Sequence, residues 1–198
     1  MSLQPAPALL PLFPLNSVVF PGGRLPLRIF EQRYLDMVKQ AIADKSPFGI
    51  CAIREGMEVG GAATPYSVGT LVHVTDWDMP QTGILHIETQ ARERFVIRSS
   101  HVETSGLLMG KVDSIGPETG IAIPHDLALT VEILRQIIQE YGAARFPEPH
   151  EFDNAVWVGY RLSEVLPLKL STKQNLLEMN DSVTRLRILA EFIKKQIN

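Results

Sequence analysis

The sequence predicts an α+β chain in which a bent, antiparallel-rich β subdomain with one helix precedes a helical bundle. Three observations carry this. Short apolar runs bounded by proline, glycine and small polar residues recur up to about residue 115. Only one segment among them, opening at Glu31, takes helical spacing, so an alternating βαβ order does not fit. After Gly116-Pro117 the apolar residues adopt the 3.6-residue period of amphipathic helices.

Taken in order, residues 1–8 (MSLQPAPA) read as a loose tail, 9–116 as the β subdomain and 117–198 as the helical one. LLPLF, VVF and RLPLRIF are expected as brief strands, hinged at Pro14-Leu15-Asn16 and Pro21-Gly22-Gly23. Proline within a strand removes a ladder donor, which places such strands at sheet edges, bulges or barrel corners. A helix from Glu31 to about Asp44 follows, with Tyr34, Leu35, Val38, Ala41 and Ile42 on one stripe. FGICAIRE reads as a buried strand, and Glu55–Ser67 as a long loop rich in glycine and small residues. GTLVHVTDWDM and ILHIETQA form a hairpin around Pro80-Gln81-Thr82-Gly83, and RFVIRSSHVE and LLMGKVDSI complete a barrel or strongly bent sheet.

In the second half, HDLALTVEILRQIIQEYG is a helix capped by His125 or Asp126, with Val131, Leu134, Ile138 and Tyr141 inward. DNAVWVGYRLSEVLP is another, with Asp153 as N-cap and Pro167 at its end. Ser171 and Gln174 have capping-box spacing for a third. Asp181 or Ser182 opens the last, with Val183, Leu186, Leu189 or Ala190, Ile193 and Ile197 inward.

Composition bounds the function. A chain of 198 residues suits one larger or two small domains, and folding at this size buries roughly 70% of the unfolded surface without a staple. One cysteine, Cys51, excludes an intramolecular disulfide and fits a reducing cytoplasm. The start lacks the basic and apolar regions of a signal peptide, and no run reaches the ~18 apolar residues of a membrane span. A net charge of −3 with interspersed signs argues against a polyanion partner.

The search for chemistry is largely negative. GMEVGGAAT has glycines but no lysine for a phosphate, and no GxSxG or HExxH occurs. The histidines at 73, 86, 101, 125 and 150 lack ligand spacing, although His73 and His86 are candidate cross-strand neighbours. His86-Ile87-Glu88 beside Asp76 and Asp78 has the residue types of an acid/base site, yet a solvated strand face explains the alternation better. Cys51 in an apolar strand reads as an inert core thiol. No metal, cofactor or catalytic constellation is expected. Asn180-Asp181-Ser182 matches a glycosylation triplet, and helix capping accounts for it better.

Two clusters have both a structural and a binding reading. Glu31, Arg33 and Tyr34, with Glu93-Arg94-Phe95, are expected to pin the strand-to-helix corner by ion pairs, with Arg94 as the partner of Glu31. Met57, Tyr66, Trp77 and Met79 are expected to form an exposed apolar lip, one wall of a peptide-binding surface. Methionine and aromatic side chains suit recognition of varied unfolded chains because they adapt their shape.

The opening stretch also carries a resemblance. Pro11, Phe13-Pro14-Leu15-Asn16, Phe20-Pro21-Gly22, Pro26-Leu27, Ile29-Phe30-Glu31, Arg33-Tyr34 and Met37 resemble the start of the Lon protease N-terminal domain family. Gly69-Thr70-Leu71-Val72 and Arg94-Phe95-Val96-Ile97 resemble its middle strands; Leu166-Pro167-Leu168, Lys173-Gln174, Leu176-Leu177-Glu178 and Arg185-Leu186 resemble its helical end. Where relatives commonly place glycine before the Arg-Phe pair this chain has Ala91, which questions a positive-φ backbone there. The resemblance implies a PUA-like β subdomain and a substrate-recognition role. Because the sequence ends at Asn198 without an ATPase or Ser-Lys peptidase, it implies a stand-alone, non-catalytic, cytoplasmic module. Its partners would be unfolded or partner polypeptides, served to a separate protease or chaperone, with neither nucleic acid nor membrane involved. The alternative is a PUA-like small-molecule or RNA binder, against which the acidic balance counts.

Overall fold

The computed structural model describes residues 8–61, 63–143, 146 and 148–197. They fall into two compact units, Met1–Gly116 and Pro117–Asn198. Residues 1–7 of the expected tail lie outside the described residues, and Ala8 opens the first strand.

The first unit contains β1 (Ala8–Leu15), β2 (Arg24–Ile29), α1 (Gln32–Asp44), β3 (Phe48–Glu55), β4 (Thr64–Gln81), β5 (Ile84–Val102) and β6 (Leu108–Ile115). The strand order is β2-β5-β4-β3-β1-β6, and a further pairing of β5 with β6 closes the last five into a barrel. Among the described residues β1 and β3 run parallel, joined through β2 and α1, and the other strand pairs are antiparallel. The closure depends on the length of β5. Its first part, Leu85 to Gln90, pairs with β2, and its second, Arg94 to Val102, pairs with β6.

The changeover between these partners sits at the Pro21-Gly22-Gly23 turn. Gly22 N–H donates to the Ala91 carbonyl (3.1 Å) and Ala91 N–H to the Gly23 carbonyl (2.8 Å). Gln90 Nε2 adds a bond to the Gly22 carbonyl (2.8 Å). Gly22 has φ of 79°, which L side chains rarely adopt, so the motif glycine is required by the turn. Ala91 is outside the left-handed region, so alanine carries no strain there.

Among the described residues, two apolar clusters help hold the unit. One packs α1, through Tyr34, Leu35 and Val38, onto Phe13, Phe48, Val72, Leu85 and Ile87. The other gathers Leu10, Leu12, Cys51, Phe95, Leu108 and Val112. Phe95 is fully buried, and a Cβ on Gly49 or Gly69 would lie 2.7 or 2.6 Å from its ring. Each fully buried side chain of this size contributes about 1.5–3 kcal/mol.

Several expectations about this half are corrected. Residues 18–20 are buried without being a strand; the Val19 carbonyl accepts from Thr70 Oγ1 (2.6 Å), so the run is apolar because it is covered. The loop after β3 shrinks to residues 56–63, because Thr64 and Pro65 already pair with Glu55 and Ile53. ILHIETQA and RFVIRSSHV are one continuous strand. Glu31 pairs with Arg33 (2.9 Å), two residues along, and not with Arg94, which is buried in β5 opposite Thr70 and Ile115. The corner is pinned by other contacts: Arg33 Nη1 donates to the Gly106 carbonyl (3.0 Å), and Tyr34 stacks on Phe13 at 4.0 Å.

The second unit comprises a 3-10 turn (His125–Leu127), α2 (Ala128–Tyr141), α3 (Ala155–Val165), α4 (Leu170–Glu178) and α5 (Ser182–Ile197). Its centre is an ion pair between Arg185 and Glu118 (2.6 Å), with the guanidinium over the Tyr160 ring and the Tyr160 hydroxyl donating to Glu118. Neither His125 nor Asp126 caps α2, since both lie within the preceding 3-10 turn, and Tyr141 is exposed while Val131 is half-buried. Asn154, not Asp153, caps α3. The capping box at α4 is absent: Ser171 lies inside the helix, and buried Gln174 donates to Glu178 (2.7 Å). Asp181 caps α5 as expected, accepting from Val183 and Thr184 N–H at 3.0 Å each. Leu186, Leu189, Ala190 and Ile193 face inward, whereas Val183 is half-buried and the Ile197 side chain lies outside the described residues.

Candidate functional site

The strand that closes no barrel is the one on which the candidate site is built. β2 pairs with β5 along one side and ends the strand order on the other, so its second edge bonds to no other strand among the described residues. The Ala91–Gly23 bond fixes which residues face that edge. Narrow pairs recur at every second residue in an antiparallel ladder, so Leu25, Leu27 and Ile29 bond towards β5 while Arg24, Pro26 and Arg28 face outward. Pro26 therefore stands where its missing N–H costs no ladder bond, and it interrupts the row of donors on the free edge.

Beyond the barrel, β4, β5 and β2 form a three-stranded apron whose rows are set by register. Trp77 lies opposite Ile87, which lies opposite Leu27; Asp78, His86 and Arg28 form a second row, and Asp76, Glu88 and Pro26 a third. These nine residues line a mostly apolar open depression of about 390 Å³. Ile87 is buried, while Trp77 keeps 54% of its surface in solvent. Trp77 N–H donates to Oδ1 of the preceding Asp76 (2.9 Å).

A second depression, of about 230 Å³, shares Pro26, Leu27 and Arg28 with the first. Its other walls are Phe13, Leu15, Phe30, Glu31 and Tyr34, with Glu58 and Val59 from the loop after β3. Asn16, a motif residue, ties that loop down by donating to Glu58 Oε2 (3.1 Å). Burial raises the Tyr34 phenol above its ordinary range; the adjacent Arg33 charge opposes this and Glu31 reinforces it. The phenol is neutral at pH 7 and so adds a polar but uncharged tip to an apolar wall.

The structure thus divides the expected lip. Trp77 is central to the first depression, and the loop contributes through Glu58 and Val59. Met57 (73% exposed), Met79 (40% exposed) and half-buried Tyr66 line neither depression. Of the motif residues, Phe30 is 54% exposed on the second depression, with Glu31 and Tyr34 beside it. Pro14, Pro21, Gly22, Arg33, Arg94 and Phe95 line neither depression. Sequence reasoning missed β2 as the axis of the site, although proline inside RLPLRIF already marked an edge strand.

Asp78 and His86 are cross-strand partners, as are Asp76 and Glu88, so those residues do share one place. His73 lies opposite Gln90 and not His86. Among the described residues, no three His, Cys, Asp or Glu side chains come together in a way that could hold a metal ion. Cys51 is buried and far from ionisation, its thiol pushed up to about 12 by burial. No helix among the described residues is long and apolar enough to cross a membrane.

The fold agrees with that of relatives of known family. The Lon N-terminal domain protein from Xanthomonas campestris is 33% identical, with a TM-score of 0.78 over 93% of this chain and 98% of that one. The N-terminal domain of a Mycobacterium avium complex Lon protease shares the fold at 15% identity, with a TM-score of 0.64 over 93% and 97% of the two chains. Lon protease of Anaeromyxobacter dehalogenans and Lon protease 2 of Myxococcus xanthus are each 25% identical over 96% of this chain. The chain spans about a quarter of the length of these curated relatives, 23% and 24% respectively. Residues 9–195 match the family described as the ATP-dependent protease La (LON) substrate-binding domain, and with a matching fold over nearly its whole length the chain belongs to that family.

Proposed function

We propose that this protein is a non-catalytic polypeptide-recognition module that binds extended or unfolded segments along β2, between the Trp77 and Phe30 sides. It works in the cytoplasm, handing clients to a separate protease or chaperone. The observation that carries this reading is the pair of apolar depressions flanking an edge strand, with a half-exposed tryptophan on one and a half-exposed phenylalanine on the other. Large exposed apolar side chains beside a concave surface are the usual mark of a protein-binding site. Binding through such anchors needs little sequence specificity. The proline on the free edge disfavours continuous strand addition, so side chains and not a backbone ladder would supply the affinity.

The test is binding of a fluorescent, permanently unfolded client to wild type, Trp77→Ser, Phe30→Ser and the double variant, with a single-stranded RNA as control. Each single change is expected to weaken client binding about tenfold, since a buried aromatic anchor contributes on the order of 1–2 kcal/mol. Melting temperature should stay within a few degrees because both side chains are mostly in solvent. Unaltered binding in the double variant, or tighter binding to RNA than to the client, would refute the reading.

A further inference from the structure

We infer that the helical unit carries an interaction surface of its own, a groove between α4 and α5 that receives an amphipathic helix of a partner polypeptide, acidic beside its apolar stripe. The groove uses none of the β2 residues and goes beyond the client binding proposed there. Thr172 and Leu176 stand one turn apart on α4, with Leu168 just before it, and Ile188 and Phe192 stand one turn apart on α5. They bound a mostly apolar, open depression of about 410 Å³ with buried Leu189 in its floor. α5 buries Leu186, Ala190 and Ile193 on its core stripe, and at 100° per residue Ile188 and Phe192 are turned away from that stripe. Ile188 is 38% exposed, and Leu168 and Phe192 are half-buried, so this second apolar stripe stays partly in solvent.

Charge selects the occupant. Residues 168–198 hold six Lys and Arg against three Asp and Glu, whereas the rest of the chain holds 13 against 19. Arg187, Glu191 and Lys195 line the groove. Glu191 is engaged by Lys194 at 3.0 Å, and Arg187 meets Asp126 at 3.2 Å in a pair more than half exposed, which costs little to exchange. Lys195, and Lys169 next to Leu168, are exposed and make no ion pair or side-chain hydrogen bond among the described residues. Arg185 Nε donates to the Leu176 carbonyl (2.9 Å), which holds the start of α5 against the end of α4, so both lysines mark the far end of the groove. Carboxylates beside an apolar stripe meet these cations, whereas a basic helix is repelled. The occupant is a helix because the walls are helix faces without a sheet edge. An extended chain would bury backbone groups there with nothing to bond, and a helix satisfies its own.

The experiment titrates three short fluorescent peptides with one leucine stripe at helical spacing against the full chain. The first carries Glu beside the stripe, the second Lys, and the third keeps the Glu but has a central proline that breaks the helix. The Glu helix is expected to bind about tenfold more tightly than either of the others, and salt should narrow its lead over the Lys peptide. Lys195→Glu should lower Glu-helix affinity about tenfold and raise that of the Lys peptide, and Ile188→Ser should weaken both. Both side chains are exposed, so both variants should melt within a few degrees of wild type. Lys39→Glu on α1 makes the same charge change at another exposed site. If it weakens the Glu helix as much as Lys195→Glu does, net charge and not the groove is responsible and the inference is wrong. Trp77→Ser should leave Glu-helix affinity unchanged; a parallel loss would place both ligands on one surface and end the inference. No saturable binding of the Glu helix up to about 1 mM, or equal binding of the proline peptide, would also overturn it. So would a dimer in sedimentation that Ile188→Ser dissociates, because a second copy would then fill the groove.

Discussion

Cys51 shows how a single residue's surroundings set its chemistry. It pairs in β3 with Pro14 and Gly69 and packs among Leu10, Leu12 and Phe95, where burial disfavours the thiolate. With its pKa raised from 9.0 to about 12, the native thiol is almost entirely protonated at pH 8. Iodoacetamide at pH 8 is therefore expected to label the native protein slower than the denatured chain, on the order of a thousandfold. Comparable labelling rates would show that the thiol is open to solvent. The same shift has a stability consequence. The folded pKa lies above the unfolded one, so the contribution is whole below about pH 9 and is lost as pH rises towards 12. Denaturant melts should lose up to about 1.4 kcal/mol per pH unit across that window, relative to a Cys51→Ala variant, which lacks this titration. The Glu31–Arg33 pair gives the opposite lesson. Both residue types were legible in the motif, but the partner was settled where the chain enters α1, with extended Glu31 just before the helix meeting Arg33 of its first turn at 2.9 Å.

Among the elements, β2 is the one whose sequence and position explain each other. Its exposure alternates along RLPLRI until Ile29 enters the core, and its proline falls on the edge that bonds to no other described strand. Edge strands with unbroken donors invite pairing with a second copy, and proline is one of the devices that prevents it. Pro26→Val should restore the donor and favour β geometry, giving concentration-dependent self-association in sedimentation experiments at tens of micromolar. The monomer should melt no lower than wild type, because no ladder bond to β5 is disturbed. A variant that stays monomeric at all concentrations would show that the edge is protected by something other than Pro26. The hairpin of β4 and β5 was readable from its turn residues, but its length was not. Strand runs interrupted by Glu and Arg look like separate strands in sequence, and only pairing with β2 and then β6 makes β5 continuous over Ile84–Val102.

For the whole molecule, membership in the Lon substrate-binding family and the two apolar depressions are what support the proposed recognition role. The purified chain is expected to hydrolyse neither ATP nor unfolded casein. Turnover that co-purifies with the protein and is abolished by one substitution would contradict this. Sequence alone determined the α+β class of fold and, apart from residues 18–20 and the division of β5, the order of its elements, because local periodicity, turn chemistry and proline placement act within a few residues of chain. Three matters were decided only in three dimensions. The closure of the barrel rests on β5 changing partner at Ala91, a contact between residues some seventy positions apart in the chain. Burial of residues 18–20 without strand pairing rests on Thr70 reaching the Val19 carbonyl. The grooves rest on cross-strand register, which places Trp77 beside Leu27 and leaves Met57 and Tyr66 outside. Register is a long-range property: alternation marks which face of each strand is solvated, but not which residue of the partner strand stands opposite.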